Sequence, residues 1–179
     1  MRKVILAKSA GFCFGVSRAV DIVEQAAQEG RRAVTLGPII HNRHVVAHFE
    51  EKGIRAISAL SEAAPGETVI IRSHGVRAAD YAEMERRGIP WIDATCPFVE
   101  RIHRLVHAAE QAGRQPVIIG QRDHPEVTAI AGWCSAPVVF ESPEELEDWL
   151  LEAPERADAA LTIVFQTTSP KSLYEKCAD

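Results

Sequence analysis

One spacing recurs along this chain. It separates Cys13 from Cys96, Arg18 from Arg101, Gly37 from Gly120 and His41 from His124. The first copy reads GFCFGVSRAV and then VTLGPIIHN; the second reads DATCPFVERI and then VIIGQRDHPEV. Each copy offers a cysteine ahead of a helical pattern and a histidine behind a strand pattern. Two pseudo-equivalent units, pooling their thiols and imidazoles in one site, are therefore expected. Beyond Gly120 strict register lapses, and VIIRSHGV (Val69 to Val76) is answered by TIVFQTT (Thr162 to Thr168). Continued once more, the pattern expects a third cysteine, and a third copy, past Asp179.

Short β-branched runs, VILA, AVTLG, TVIIRS, PWIDA, PVIIG, PVVF and LTIVFQ, alternate with amphipathic stretches. Such alternation predicts α/β units with mainly parallel sheets covered by helices. Val16, Ala19, Val20, Val23 and Ala27 share one helical face, with Gly30 at its C-terminal end. Asn42, Pro97, Ser142 and Ser169-Pro170 mark further helix starts. The units divide at residues 1–95 and 96–179, where PWIDA hands over to PFVERI. No Ser/Gly-rich tract separates them, so they should pack tightly.

At 179 residues the chain is long enough to bury roughly two thirds of its unfolded surface. Its 46% hydrophobic and 25% charged content argues against disorder. A net charge of −5 without any basic block gives no footprint for nucleic acid. MRKVILAKSAGF has too short an apolar run for a signal peptide and reads as a first strand; no membrane span appears. Four cysteines without an export signal point to the reducing cytoplasm, where thiols act as ligands, nucleophiles or small apolar groups.

Cys13, His41, His74, Cys96, His124 and Thr167 are each expected after a strand and before a helix, the edge where open α/β sheets bind ligands. Helix N-termini and nearby glycines there favour an anion, phosphate above all. Cys13 and Cys96 are either buried small residues or two thiolates of one metal centre; their repeat equivalence favours the second. Three histidines at matching positions, His41, His74 and His124, suit hydrogen-bond donors to a phosphate or metal ligands. Glu126 is a proton donor if desolvated, or else a first-turn glutamate. Thr167 offers a hydroxyl. His103 and His107 are read as a solvated helix face, Ser73 and Lys8 as turn or surface residues, and Cys134 and Cys177 as packing or surface residues.

The motifs GFCFGVSRAV, LGPIIHN, RSHGV, DATCP, GQRDHPEV and QTTSP, in this order, resemble the 4-hydroxy-3-methylbut-2-enyl diphosphate reductases, the LytB-type iron–sulfur enzymes of the non-mevalonate isoprenoid pathway. The resemblance implies a trefoil of three α/β units around a [4Fe–4S] cluster held by three cysteines. It implies reductive removal of an allylic hydroxyl with two electrons and two protons, yielding isopentenyl and dimethylallyl diphosphates. An electron donor such as ferredoxin or flavodoxin would serve it. By the same resemblance Cys13 and Cys96 match two cluster ligands, His41, His74 and His124 the diphosphate-facing histidines, Glu126 the proton donor, and Thr167 a hydroxyl near the substrate's own.

The family's third unit, with its cysteine and diphosphate-gripping groups, has no counterpart in these residues, and nothing around Cys177 replaces it. A poor catalyst is therefore expected from the 179 residues alone. Two rivals stand beside the reductase: a non-catalytic, truncated paralogue that binds a phosphorylated ligand, and a Cys2His2 zinc hydrolase using Cys13, Cys96, His41 and His124.

Overall fold

A computed structural model of the chain describes residues 3–8, 10–156 and 158–178. Within them the strands form two sheets with every pairing parallel. The first has the order β2-β1-β3-β4, built from β1 (Ala33–Leu36), β2 (Arg55–Ile57), β3 (Thr68–Ile71) and β4 (Trp91–Asp93). The second has the order β6-β5-β7, built from β5 (Gln115–Ile119), β6 (Val138–Phe140) and β7 (Leu161–Phe165). Helices α1 (Phe14–Gln28), α2 (Arg43–Glu51) and α3 (Ala78–Arg87) accompany the first sheet in chain order. Helices α4 (Pro97–Gln111), α5 (Pro125–Ala131), α6 (Pro143–Glu152) and α7 (Lys171–Ala178) follow β4.

The repeat has a direct physical counterpart. The β2-β1-β3 order of one sheet recurs as β6-β5-β7 in the other. Gly37, just past β1, donates its N–H to Ile57 O at 2.7 Å, and Gly120, just past β5, donates to Phe140 O at 2.8 Å. Both central strands are apolar along almost their whole length because helices cover both sheet faces. Alternation still sorts the side chains. Ala33 and Ile70 pack with Ala19, Val23 and Phe49 on one face, while Val34, Val69 and Ile71 pack with Met84 on the other. In the second sheet Ile118 and Val164 meet Val106 and Ile130, and Val117 and Ile119 meet Phe140 and Leu146. Burying a side chain such as Ile70 or Ile118 contributes about 1.5–3 kcal/mol.

The helix boundaries follow the expected chemistry. Asn42 Oδ1 accepts from His44 N and Val45 N, and Ser142 Oγ accepts from Glu145 N. Pro97 and Pro143 occupy first turns, where their missing N–H costs nothing.

Two elements differ from expectation. The run VILA is not a strand: residues 3–7 have no regular structure, and Val4, Ile5 and Leu6 are 91%, 76% and 83% exposed. A strand exists only by pairing, and among the described residues no neighbour pairs with this one. Conversely β2, at the outer edge of its sheet, has only three residues and shows too little alternation to be read in advance.

Candidate functional site

In each sheet the strand order reverses at the central strand. β1 leads to β2 on one side while β3 lies on the other, and β5 is flanked by β6 and β7 in the same way. Loops leaving the carboxyl ends of β1 and β3 thus diverge and open a crevice, as do those of β5 and β7. The first crevice presents His41 and His74; the second presents His124 and Thr167.

The three imidazoles meet. Ring centroids lie 4.6 Å apart for His41 and His74, and 5.4 Å for both His41–His124 and His74–His124. One ring nitrogen from each lies within 4.8 Å of the others, and neither cysteine joins this cluster among the described residues. The loops are tied as well: Ser73 Oγ donates to Ile39 O at 3.1 Å, joining the His74 loop to the His41 loop. Ser73 lies in the turn after β3, as one of its two expected readings has it, and is buried there. His124 caps α5, where its Nδ1 accepts the Glu126 N–H at 3.1 Å. With Nδ1 accepting, a neutral ring carries its proton on Nε2.

Burial, then the positive charges of His41, Arg72 and His124, push His74 down to about 3. Its Nδ1 is buried without a partner. His124 is lowered by burial and then by His41 and Arg72. Arg72 was not singled out in the sequence, since an arginine beside a strand end is common. Its guanidinium lies over Gly37, where an added Cβ would fall 2.5 Å from Nη1. Gly37 has φ 77°, a backbone conformation that favours glycine there.

Glu126 is 1% exposed. Thr167 donates its N–H to Oε1 at 2.5 Å and its hydroxyl to Oε2 at 2.8 Å. Burial raises the pKa of this carboxyl, and the two Thr167 bonds oppose the rise.

Cys13 and Cys96 hold the same local position, the residue immediately before a 15-residue helix. Cys96 follows β4 as expected, whereas Cys13 follows no strand, because residues 3–7 form none. Both thiols are free, Cys13 exposed and Cys96 half-buried. They line one groove of about 650 Å³ together with Phe14, Phe98, Thr167 and Tyr174. A Cβ on Gly15 would fall 2.4 Å from Cys96 Sγ, so the first turn of α1, next to Cys13, packs closely on the second cysteine. Arg18 strengthens this junction by donating to Thr95 O at 3.0 Å and Asp93 O at 3.2 Å.

His107 is exposed as expected, but His103 is not on a solvated face. It is 1% exposed and stacks on Trp133 at 5.1 Å and 17°. Its helix turns that face toward the loop of His74, a contact that helical spacing alone cannot reveal. Cys134 packs beside the Val106 and Ile118 cluster, its thiol pushed up by burial to about 11, and Cys177 packs beside Leu173.

Two parallel sheets whose carboxyl edges bring together three imidazoles and a buried carboxyl, beside a groove lined by two N-cap cysteines, define an α/β protein of two parallel-sheet units. The chain belongs to the LytB family, whose model, described as LytB protein, matches residues 4–179. The 4-hydroxy-3-methylbut-2-enyl diphosphate reductase of Geotalea uraniireducens is 47% identical over 136 residues, 76% of this chain and 48% of that protein. The reductase of Alkaliphilus oremlandii is 42% identical over 176 residues, 96% of this chain and 60% of that one. A solved structure of (E)-4-hydroxy-3-methyl-but-2-enyl diphosphate reductase, the terminal enzyme of the non-mevalonate pathway, matches with a TM-score of 0.80 at 36% identity. It covers 97% of this chain and 61% of its own. The Plasmodium falciparum reductase structure, at 24% identity and a TM-score of 0.87, supports the fold alone. The chain spans about half to three fifths of the length of these curated relatives. Among the described residues no helix is long and apolar enough to cross a membrane.

Proposed function

We propose that the chain carries the diphosphate-binding and proton-donating part of a 4-hydroxy-3-methylbut-2-enyl diphosphate reductase site, working in the cytoplasm. The observation that carries this reading is the Glu126 N–H donated to His124 Nδ1. It leaves Nε2–H as the group His124 offers. A metal ion needs a lone pair at that nitrogen, whereas a diphosphate oxygen needs its proton. Arg72 acts in the same sense, since a positive charge near His74 and His124 repels a cation and attracts an anion. An anion is therefore favoured over zinc, and the separation of both cysteines from the imidazole cluster also disfavours a Cys2His2 site.

In this reading His41, His74 and His124 hold the diphosphate. Glu126, kept protonated to higher pH by burial, donates to the allylic hydroxyl, which Thr167 helps to orient. The carbon–oxygen bond breaks, the hydroxyl leaves as water, and the allylic carbon frame takes up the second proton with two electrons. Isopentenyl or dimethylallyl diphosphate results.

Cys13 and Cys96 fit two ligand positions of a [4Fe–4S] cluster. Each sits at the N-cap position of a long helix, and glycine at position 15 leaves room at Cys96 Sγ. When bound, such a cluster supplies the electrons received from a carrier such as ferredoxin or flavodoxin. Its third cysteine, and the third α/β unit of the trefoil, would come from outside these 179 residues. With Cys13 exposed, a cluster on this chain alone would meet water and oxygen, so turnover by the chain alone is poor. The same exposure favours a second reading, a non-catalytic binder of a phosphorylated ligand.

Anaerobic reconstitution followed by iron, sulfide and reductase assays tests the proposal. Equal iron and acid-labile sulfide, lost in Cys96→Ser, is the expected result. Pyrophosphate binding without iron or sulfide would favour the second reading. Zinc without sulfide or pyrophosphate binding would contradict both.

A further inference from the structure

Cys13 and Cys96 are rigid parts of their helices. Each is an N-cap whose carbonyl accepts the first helical bond, from Ser17 N and Glu100 N respectively, both at 2.9 Å. The Cys96 loop is also tied to its own sheet. Ala94 N donates to Ile71 O at 3.0 Å, Thr95 N to Asp93 Oδ1 at 2.8 Å and Cys96 N to Ser73 O at 2.9 Å. The seat of α1 against this loop therefore sets the distance between the two cysteines. Ala19 and Val23 share an apolar cluster with Ala94, which brings the helix close, but such packing is non-directional and lets a helix slide along its axis. Among the described residues the hydrogen bonds from α1 to the loop both come from Arg18. Its two terminal nitrogens span Thr95 O at 3.0 Å and Asp93 O at 3.2 Å. The Asp93 carboxylate is engaged by Tyr81 OH at 2.7 Å and by Thr95 N, so the guanidinium meets two carbonyls and not an acid. The repeat supplies a contrast. Arg18 and Arg101 are each the fifth residue of a helix opened by an N-cap cysteine, yet Arg18 is half-buried in its clasp and Arg101 is exposed.

We propose that Arg18 is a positioning residue for the cysteine pair. Its fork fixes the axial seat of α1 on the Asp93 and Thr95 carbonyls and so sets the separation of the Cys13 and Cys96 thiols. The inference rests on the reading of these two cysteines as ligands of one cluster and deepens it.

The test uses the metal-free chain and dibromobimane, which becomes fluorescent when both its arms have alkylated thiols, with the joined peptides identified by mass spectrometry. The parent should join Cys13 to Cys96. Arg18→Leu should lower the yield of that pair about tenfold, the scale of losing hydrogen bonds from a charged donor. Arg18→Lys keeps the charge but cannot span two carbonyls, so it should recover little of the loss. Arg101→Leu should leave the yield unchanged. Single labelling of the exposed Cys13 by monobromobimane should be the same in every variant, and the packed Cys134 should stay protected, which separates a displaced helix from an unfolded chain. After anaerobic reconstitution, bound iron should fall in Arg18→Leu and Arg18→Lys and not in Arg101→Leu. Full cross-linking in folded Arg18→Leu would overturn the proposal, and so would complete recovery by lysine or a parent that does not join Cys13 to Cys96. If Arg18→Leu does not fold, Arg18→Lys decides. If the parent joins its thiols yet takes up no iron or sulfide, the cluster reading falls, and the cross-link still decides the role of Arg18.

Discussion

Thr167 grips both carboxylate oxygens of Glu126, one through its backbone N–H at 2.5 Å and the other through its hydroxyl at 2.8 Å. The contact joins the end of β7 to the first turn of α5 across the second crevice. Bonds of this kind stabilise the ionised carboxylate, while burial at 1% exposure stabilises the protonated one. Burial is the larger effect, so the carboxyl holds its proton above the ordinary glutamate range. That balance makes Glu126 a proton donor that its neighbour can tune.

Thr167→Val removes the hydroxyl bond to the charged form and should raise the Glu126 pKa further. Carbon-detected NMR titration of the Glu126 carboxyl measures the shift; a fall would show that the hydroxyl does not stabilise the anion. In the reconstituted enzyme Glu126→Gln should lower turnover about 10²-fold or more with little change in pyrophosphate affinity.

Stability should fall with acidity in a defined window. His103 is held neutral in the fold, with its pKa lowered by burial from 6.5 to about 4. Below pH 6.5 the unfolded chain takes a proton that the folded chain refuses until about pH 4. The contribution is fully present above pH 6.5 and is lost as pH falls to 4, a change on the order of 3 kcal/mol. His74, lowered to about 3, acts in the same direction. Urea unfolding at intervals between pH 7 and 4 should show the decline, and His103→Gln should flatten it.

Diphosphate binding should take up protons. His74 is neutral in the free protein because burial and neighbouring positive charge disfavour its protonated form. A bound anion favours that form, so affinity should rise as pH falls towards 5. Calorimetry in buffers of different ionisation enthalpy measures the uptake directly; release of protons would contradict the assignment.

Gly15→Ala should disturb the cluster position more than the fold. The new Cβ would lie 2.4 Å from Cys96 Sγ and 3.0 Å from Cys96 Cβ, so the thiol must move. Iron retained after anaerobic reconstitution should drop severalfold, with the helical circular dichroism unchanged. Full iron content would show that Cys96 Sγ is not a ligand in this geometry.

Much of the fold was legible because the repeat fell on positions with hard physical requirements. Gly37 and Gly120 end equivalent central strands and make equivalent bonds to the neighbouring strand, and His41 and His124 ride on the loops that follow. What stayed hidden depends on partners distant in sequence. Val4, Ile5 and Leu6 have strand composition, but composition does not provide a neighbour to pair with. His103 shares helical spacing with the exposed His107, and only the packing of α4 against Trp133 and Gly75 buries one and not the other. Arg72 stands only two residues before His74 and was passed over for another reason, that an arginine beside a strand end is common.

Calorimetric titration of the metal-free protein with inorganic pyrophosphate, and separately with zinc, asks what His41, His74 and His124 were assembled to hold. Pyrophosphate should bind, about tenfold more weakly in Arg72→Leu, and zinc should bind poorly because His124 presents Nε2–H and Arg72 repels a cation. Tight zinc binding to the three histidines, with no heat from pyrophosphate, would contradict the anion site.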